Sequence, residues 1–290
     1  MANLSSPPPV PGLSALADSY DVVLCDVWGV VHNGVTSFPE ARAALRAYRQ
    51  GGGTVVLITN APRTSHFIVE QLGVLGVERD AFDDIVTSGD VTRALLAERG
   101  PVRFHHIGLE RDLTLYEGLA LTRVAPDEAE VVSCTGLRND LVETPADYEA
   151  ELAALAARDL PFVCANPDIV VERGHQLVYC AGALAARYAE LGGQTFVAGK
   201  PHAPIYDAAL ERAARILGRP VARERVLAIG DGAPTDLTGA VRQNLDVLFV
   251  TGGIHSGHFG PVDQPDAGAV HRFLDTEKLG ARAFIPGLRW

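Results

Sequence analysis

Apolar residues in this chain gather in short unbroken runs, and nearly every run ends on a polar residue. VVLC at 22–25 runs into Asp26, TVVLI at 54–58 into Thr59-Asn60, and the run at 85–87 into Ser88-Gly89. TFVA at 195–198 precedes Gly199-Lys200, VLAI at 226–229 precedes Gly230-Asp231, and VLFV at 247–250 precedes Thr251-Gly252-Gly253. Runs of this length without alternation predict strands buried on both faces, as in a parallel sheet. Between them the apolar spacing changes to three and four. Ala41, Leu45 and Tyr48 give one helical stripe, Ile68, Leu72 and Leu75 another, and Tyr206, Ala209, Leu210, Ala213 and Leu217 a third. Ser37 and Glu40 around Pro39 predict a capping-box start for the first helix, and Gly51-Gly52-Gly53 its end. Gly218 stops the third.

The middle of the chain repeats this style. VRFHHI at 102–107, EVVSC at 130–134 and PFVC at 161–164 predict strands, with helices over 148–157 and 181–191. Strand–helix alternation throughout predicts parallel α/β architecture with right-handed connections. The map is a discontinuous core over 1–87 and 194–290, with a second α/β domain inserted at 88–193.

Composition narrows the function classes. With 290 residues, 47% hydrophobic and 21% charged, the chain can bury a sizeable core. Its formal net charge of -11 argues against nucleic-acid or anionic-membrane partners, which require a basic face. The charge does not exclude phosphorylated small molecules, because a divalent cation can invert the local field. Cys25, Cys134, Cys164 and Cys180 lack CxxC spacing and sit in apolar contexts, as expected for reduced thiols in a cytoplasmic protein. The proline-rich opening, MANLSSPPPVPGLSAL, has neither a charged region nor an apolar core, so an extended lead-in is expected rather than a signal peptide. No apolar stretch approaches the ~20 residues of a membrane helix. A homodimer is compatible with the sequence.

Ligands of open α/β sheets bind beyond the carboxyl ends of the strands. The residues delivered there are Asp26, Thr59, Lys200 and the pair Asp231 and Asp236 in GDGAPTD. Each alone has a plain reading: a turn aspartate, a helix cap, a solvated lysine after glycine. Together they make a site. Carboxylates suit a hard cation such as Mg²⁺, which keeps substrate phosphate in its shell. Glycines beside Asp231 admit close backbone approach, Lys200 balances negative charge and holds a phosphate, and the Thr59 hydroxyl donates to a phosphate oxygen. An aspartate so placed can act as a nucleophile.

In residue order this chain resembles the haloacid dehalogenase superfamily, in the class IIA group with a large inserted α/β cap, over about residues 21–258. The resemblance implies a Rossmann-like, doubly wound parallel-sheet core with the cap over its carboxyl edge. It implies a Mg²⁺-dependent hydrolase of small phosphorylated metabolites such as sugar phosphates or nucleotides, working through an aspartyl-phosphate. It casts Asp26 as nucleophile and metal ligand, the Trp28 carbonyl as a backbone metal ligand, Asp231 as a direct metal ligand, and Asp236 as a ligand or a water-holding acid. Thr59, Asn60 and Lys200 fall at phosphate-binding positions, and Asn166, in Asn166-Pro167-Asp168, at a substrate-binding position of the cap.

One departure matters. Phosphatases of that superfamily generally carry a second aspartate two residues after the first, as acid and base for the leaving group and water. This chain reads Asp26-Val27-Trp28 and resembles a group with the pattern DxWG. An indole transfers no proton, and such help is typically worth about 10²–10⁴-fold in rate. His32, Asp168 and Glu172 are the candidate substitutes; a structural role for His32 is the other reading. His255 and His258 have a loose zinc-like spacing with no supporting cysteine or further histidine cluster. The rival function is a phosphate-metabolite-binding protein that kept the metal site and lost catalysis. Carbon–halogen and carbon–phosphorus cleavage rank lower; the latter needs a further lysine, and the chain has only Lys200 and Lys278.

Overall fold

The computed structural model describes residues 6–173 and 176–290. The chain divides into two contact units. One comprises Met1–Thr59, Val69–Val86 and Tyr206–Trp290, the other Asn60–Ile68 and Thr87–Ile205.

The first unit opens with β1 (Val22–Asp26), β2 (Thr54–Thr59) and β3 (Asp84–Thr87), with α1 (Pro39–Gln50) between β1 and β2; α2 (Ser65–Val74), between β2 and β3, starts in the second unit and belongs to the first from Val69 on. Val22 to Cys25 have no exposed surface, as an unbroken apolar run requires. In α1, Pro39 occupies the first turn, where its missing N–H has no helical partner anyway. Ala41, Ala44, Leu45 and Tyr48 form the buried stripe, and Gly52, at φ 92°, lets the chain turn out after the helix. The expected capping box is absent. Phe38 is the N-cap residue without a side-chain cap, and the Ser37 hydroxyl donates instead to the Leu75 carbonyl at 2.5 Å. The helix starts one residue later than a Ser37 cap requires, and the hydroxyl is tied to a neighbouring segment.

The second unit carries α3 (Ser88–Ala97), β4 (Val102–Ile107), β5 (Leu121–Arg123), β6 (Val131–Cys134), α4 (Glu149–Ala156), β7 (Phe162–Cys164), β8 (Val170–Arg173), β9 (Gln176–Tyr179), α5 (Ala181–Glu190) and β10 (Thr195–Val197). Five strands form a parallel sheet in the order β10-β7-β6-β4-β5, and β8 and β9 form a separate antiparallel pair. Leu152, Leu155, Leu184 and Tyr188 pack against Val132 and Phe162 on one face of this sheet. The run at 195–198 was expected in the first unit. It pairs instead with β7, Thr195 opposite Phe162, and the unit boundary falls at Ile205 rather than near 193. An apolar run specifies a buried strand but not which sheet receives it.

The chain returns through α6 (Ala203–Leu217), β11 (Val226–Gly230), α7 (Thr238–Arg242), β12 (Asp246–Val250), α8 (Ala267–Glu277) and β13 (Ala283–Ile285). The first unit's sheet has the order β13-β12-β11-β1-β2-β3. From β1 the chain adds β2 and β3 on one side, and β11, β12 and β13 on the other, so the order reverses between β1 and β11. That crevice is where an open parallel sheet binds its ligand. The lead-in lies against the C-terminal segment, with Val10 N–H donating to the Phe284 carbonyl at 3.0 Å and Leu13 N–H to that of Arg289 at 2.7 Å, but the expected extended course ends at Leu13–Ala15, which forms a 3-10 turn. The first five residues of that expected lead-in lie outside the described residues. Among the described residues, all four cysteines are buried and none is in a disulfide, and no helix is long and apolar enough to cross a membrane.

Candidate active site

Strand register sets which residues emerge at the switch point. Asp26 lies opposite Ile58 of β2, one residue before Thr59. Cys25 lies opposite Ile229 of β11, two residues before Asp231. Both carboxylates therefore leave the sheet at the same edge.

Asp236 joins them through an unusual turn. Ala233–Leu237 is π-helical, with Leu237 N–H reaching back five residues to the Gly232 carbonyl at 3.1 Å. This wide turn returns the Asp236 carboxylate toward its own start. Gly232 N–H donates to Asp236 Oδ2 at 3.2 Å, and the Thr235 hydroxyl to the same oxygen at 3.3 Å. A Cβ on Gly230 would stand 2.2 Å from Asp236 Cγ, so only glycine fits there. Ligand oxygens of Asp26, Asp231 and Asp236 all lie within 4.8 Å of one another, and all three residues are buried.

Three buried carboxylates this close repel one another and are poorly solvated, so the set calls for a compensating cation. An all-oxygen donor set suits a hard cation such as Mg²⁺. Asp231 is further gripped on two sides. Ile254 N–H donates to its Oδ2 at 2.8 Å, and Cβ atoms built on Gly29 and Gly253 would fall 2.2 Å and 1.9 Å from the same oxygen. Among the described residues this trio is the grouping of metal-capable side chains; His255 and His258 are not part of one.

The loop after Asp26 is fixed by its own contacts. The half-buried Trp28 ring meets the His32 ring edge-on at 5.2 Å, and Gly34, at φ 86°, leaves room for the indole. Asn33 Oδ1 accepts from Val35 N–H at 3.0 Å and Thr36 N–H at 2.9 Å. His32 Nδ1 accepts from Gly34 N–H at 2.9 Å, and burial pushes the imidazole pKa down to about 4. A neutral imidazole committed to holding the turn is not a proton donor near neutral pH. The structural reading of His32 fits; the substitute-acid reading does not.

Asn60, Lys200, Asn166 and Asp168 belong to the second unit. Asn60 was expected to bind substrate, but its amide has another task. Its Oδ1 accepts from Lys200 N–H at 2.7 Å, and its Nδ2 donates to the Lys200 carbonyl at 3.2 Å and to Asp168 Oδ1 at 2.8 Å. A Cβ on Gly199 would stand 2.4 Å from that Oδ1, which explains a glycine before the lysine. Asn166 Oδ1 accepts from Asp168 N–H at 3.1 Å, shaping the turn that presents Asp168. The Glu172 side chain lies outside those described. Asn60→Ala strips several buried groups of their partner and should lower stability by about 2–3 kcal/mol in urea unfolding. A loss below about 0.5 kcal/mol would show that this network contributes little.

Residues 23–121 match the family model described as haloacid dehalogenase-like hydrolase, and residues 197–275 match a second, HAD-hydrolase-like, model. A crystal structure of a haloacid dehalogenase-like family hydrolase from Brucella suis 1330 is 49% identical, with 96% of this chain and 100% of that one covered at a TM-score of 0.85. The ribonucleotide monophosphatase NagD of Escherichia coli K12 is 27% identical over 240 residues, 81% of this chain and 88% of that protein. The 5'-nucleotidase YutF of Bacillus subtilis 168 is 25% identical over 240 residues, 81% and 89% of the two chains. The chain belongs to the haloacid dehalogenase-like hydrolase family, in its class IIA group.

Proposed function

We propose that this protein is a divalent-cation-dependent hydrolase of small phosphoric monoesters, with Asp26 as its nucleophile. The observation that carries the reading is the buried trio of Asp26, Asp231 and Asp236 at the topological switch point. The names of the two curated relatives, a ribonucleotide monophosphatase and a 5'-nucleotidase, support the substrate class.

In this reading an Asp26 carboxylate oxygen bonds to phosphorus as the ester oxygen departs with the bonding electrons. Water then attacks the aspartyl phosphate, releasing phosphate and restoring the carboxylate. Asp26, Asp231, Asp236 and the Trp28 carbonyl would hold a Mg²⁺ ion. Bound there, it would neutralise the carboxylates and the charge developing on the phosphoryl oxygens. The Thr59 hydroxyl and the Lys200 ammonium are assigned to the phosphoryl oxygens, with Asn60 setting the backbone of Lys200. Asn166 is assigned to substrate binding, on the turn it forms with Asp168. The loop after Asp26 supplies no acid, so aryl phosphates, whose leaving groups need little protonation, should turn over faster than alkyl phosphates.

The second reading is a phosphate-metabolite-binding protein, favoured by Trp28 in place of a proton-transferring residue. A panel of aryl, sugar and nucleoside phosphates with Mg²⁺ separates the two: turnover of any member supports the hydrolase, and Mg²⁺-dependent binding without product supports the binder. Mg²⁺ at about 100 times its Kd contributes roughly 2.7 kcal/mol, a rise in Tm of about 5–11 °C for a domain of this size. An unchanged Tm in saturating Mg²⁺ would count against the metal site.

A further inference from the structure

The loop following β12 touches the acidic turn at two points, and only one involves a carboxylate. Ile254 N–H donates to Asp231 Oδ2 at 2.8 Å. The next residue, His255, places Nε2 3.1 Å from the backbone N–H of Ala233, which donates to it. Ala233 opens the π-helical turn, and the first N–H groups of any helical turn lack a partner within it. An N-cap side chain ordinarily supplies that acceptor. Here the N-cap residue is Gly232, which has none. Histidine from a loop 22 residues further along the chain does the capping instead. The Ala233 carbonyl is held from the other side by the Thr238 hydroxyl at 2.8 Å.

The imidazole is set up as an acceptor. Its ring packs against Phe273 of α8 at 5.0 Å and against His258 at 6.1 Å. Burial, with His258 beside it, lowers its pKa and favours the neutral form that can accept an N–H. Ala233 lies between Asp231 and Asp236, so an unheld N–H here loosens the segment carrying both carboxylates.

We propose that His255 is a positioning residue for the cation site: through its hydrogen bond from Ala233 N–H it fixes the Asp231-to-Asp236 turn in the geometry that binds the metal. This rests on the trio being a cation site. Groups that orient metal ligands from outside typically change affinity by about 10–100-fold when removed. A single backbone hydrogen bond falls below that range, at about 3–10-fold.

The test is Mg²⁺ affinity by calorimetry on the full chain, with circular dichroism as the check of fold. His255→Ala should weaken Mg²⁺ binding by about 3–10-fold. His255→Gln, whose amide oxygen can accept the same N–H, should recover most of the loss, a rescue that a packing role for the ring would not give. Ala233→Pro removes the donor at a first-turn position preceded by an extended residue, Gly232 at φ -90° and ψ 115°. It should show the same loss, and adding His255→Ala to it should change little further. If His255→Ala does not fold, the glutamine variant and Ala233→Pro still decide the matter. Unchanged affinity in His255→Ala, or losses that multiply in the double variant, would overturn the proposal alone. A wild-type chain that binds no Mg²⁺ would remove both it and the cation site beneath it.

Discussion

Asp26→Asn is expected to lower phosphate-ester turnover by roughly 10³-fold or more while leaving the fold intact. Loss of a nucleophile cannot be made up by residues that only position the substrate. The same substitution has an opposite effect on stability. Without a cation, three buried carboxylates within 4.8 Å of one another oppose folding, and Asn removes one charge from that set. At separations near 4 Å each repulsion is on the order of a few kcal/mol before a shared proton relieves it. Metal-free Asp26→Asn should therefore melt a few degrees above metal-free wild type, and its gain on adding Mg²⁺ should shrink. Scanning calorimetry with and without Mg²⁺ reads both effects. A variant that melts lower in chelator and still turns over substrate would contradict both the charge argument and the assignment of the nucleophile.

Gly253→Ala is expected to damage the site through one methyl group. Its Cβ would lie 1.9 Å from Asp231 Oδ2 and 2.5 Å from Asp231 Cγ, closer than any non-bonded contact allows. Unlike Gly29, at φ 81°, Gly253 does not have a left-handed backbone, so the effect is steric and not a matter of strain. Asp231 must move, and its bond from Ile254 N–H must lengthen or break. Overpacking of this kind costs about 1–3 kcal/mol of stability. Displacing a carboxylate proposed to hold the cation should lower Mg²⁺ affinity and kcat/KM together by about 10–100-fold. Calorimetric Mg²⁺ affinity within about twofold of wild type would show that Asp231 is not held as described.

Much of the site was legible because the sheet edge is written into the sequence. Asp26, Asp231 and Asp236 could be picked out since each follows a run of buried strand residues or lies one turn beyond it, and parallel register brings such residues together. What sequence did not convey were long-range partners. Asn60 invites assignment to substrate because it follows Thr59, yet its amide binds the backbone of a residue 140 positions away. Nothing in local spacing encodes that pairing; a glycine at 199 was the available clue. The strand at 195–197 was readable as a strand but not as a member of the second sheet, since hydrophobicity reports burial and not the neighbour. Ser37 had a capping-box pattern, but the helix is entered through Phe38 and the Ser37 hydroxyl donates to the Leu75 carbonyl. His255 looked like half of a poor zinc motif, and its part emerged only when the π-helical turn exposed an N–H that Gly232 could not cap.

The central claim is that Asp26 becomes phosphorylated during turnover. The most direct measurement quenches the protein in acid during steady turnover of an aryl phosphate with Mg²⁺, reduces it with borohydride, and maps the peptides by mass. An acyl phosphate is reduced to the alcohol, so homoserine at position 26, dependent on substrate and absent in chelator, is the predicted result. Turnover with position 26 unmodified and homoserine at Asp231 or Asp236 would contradict it.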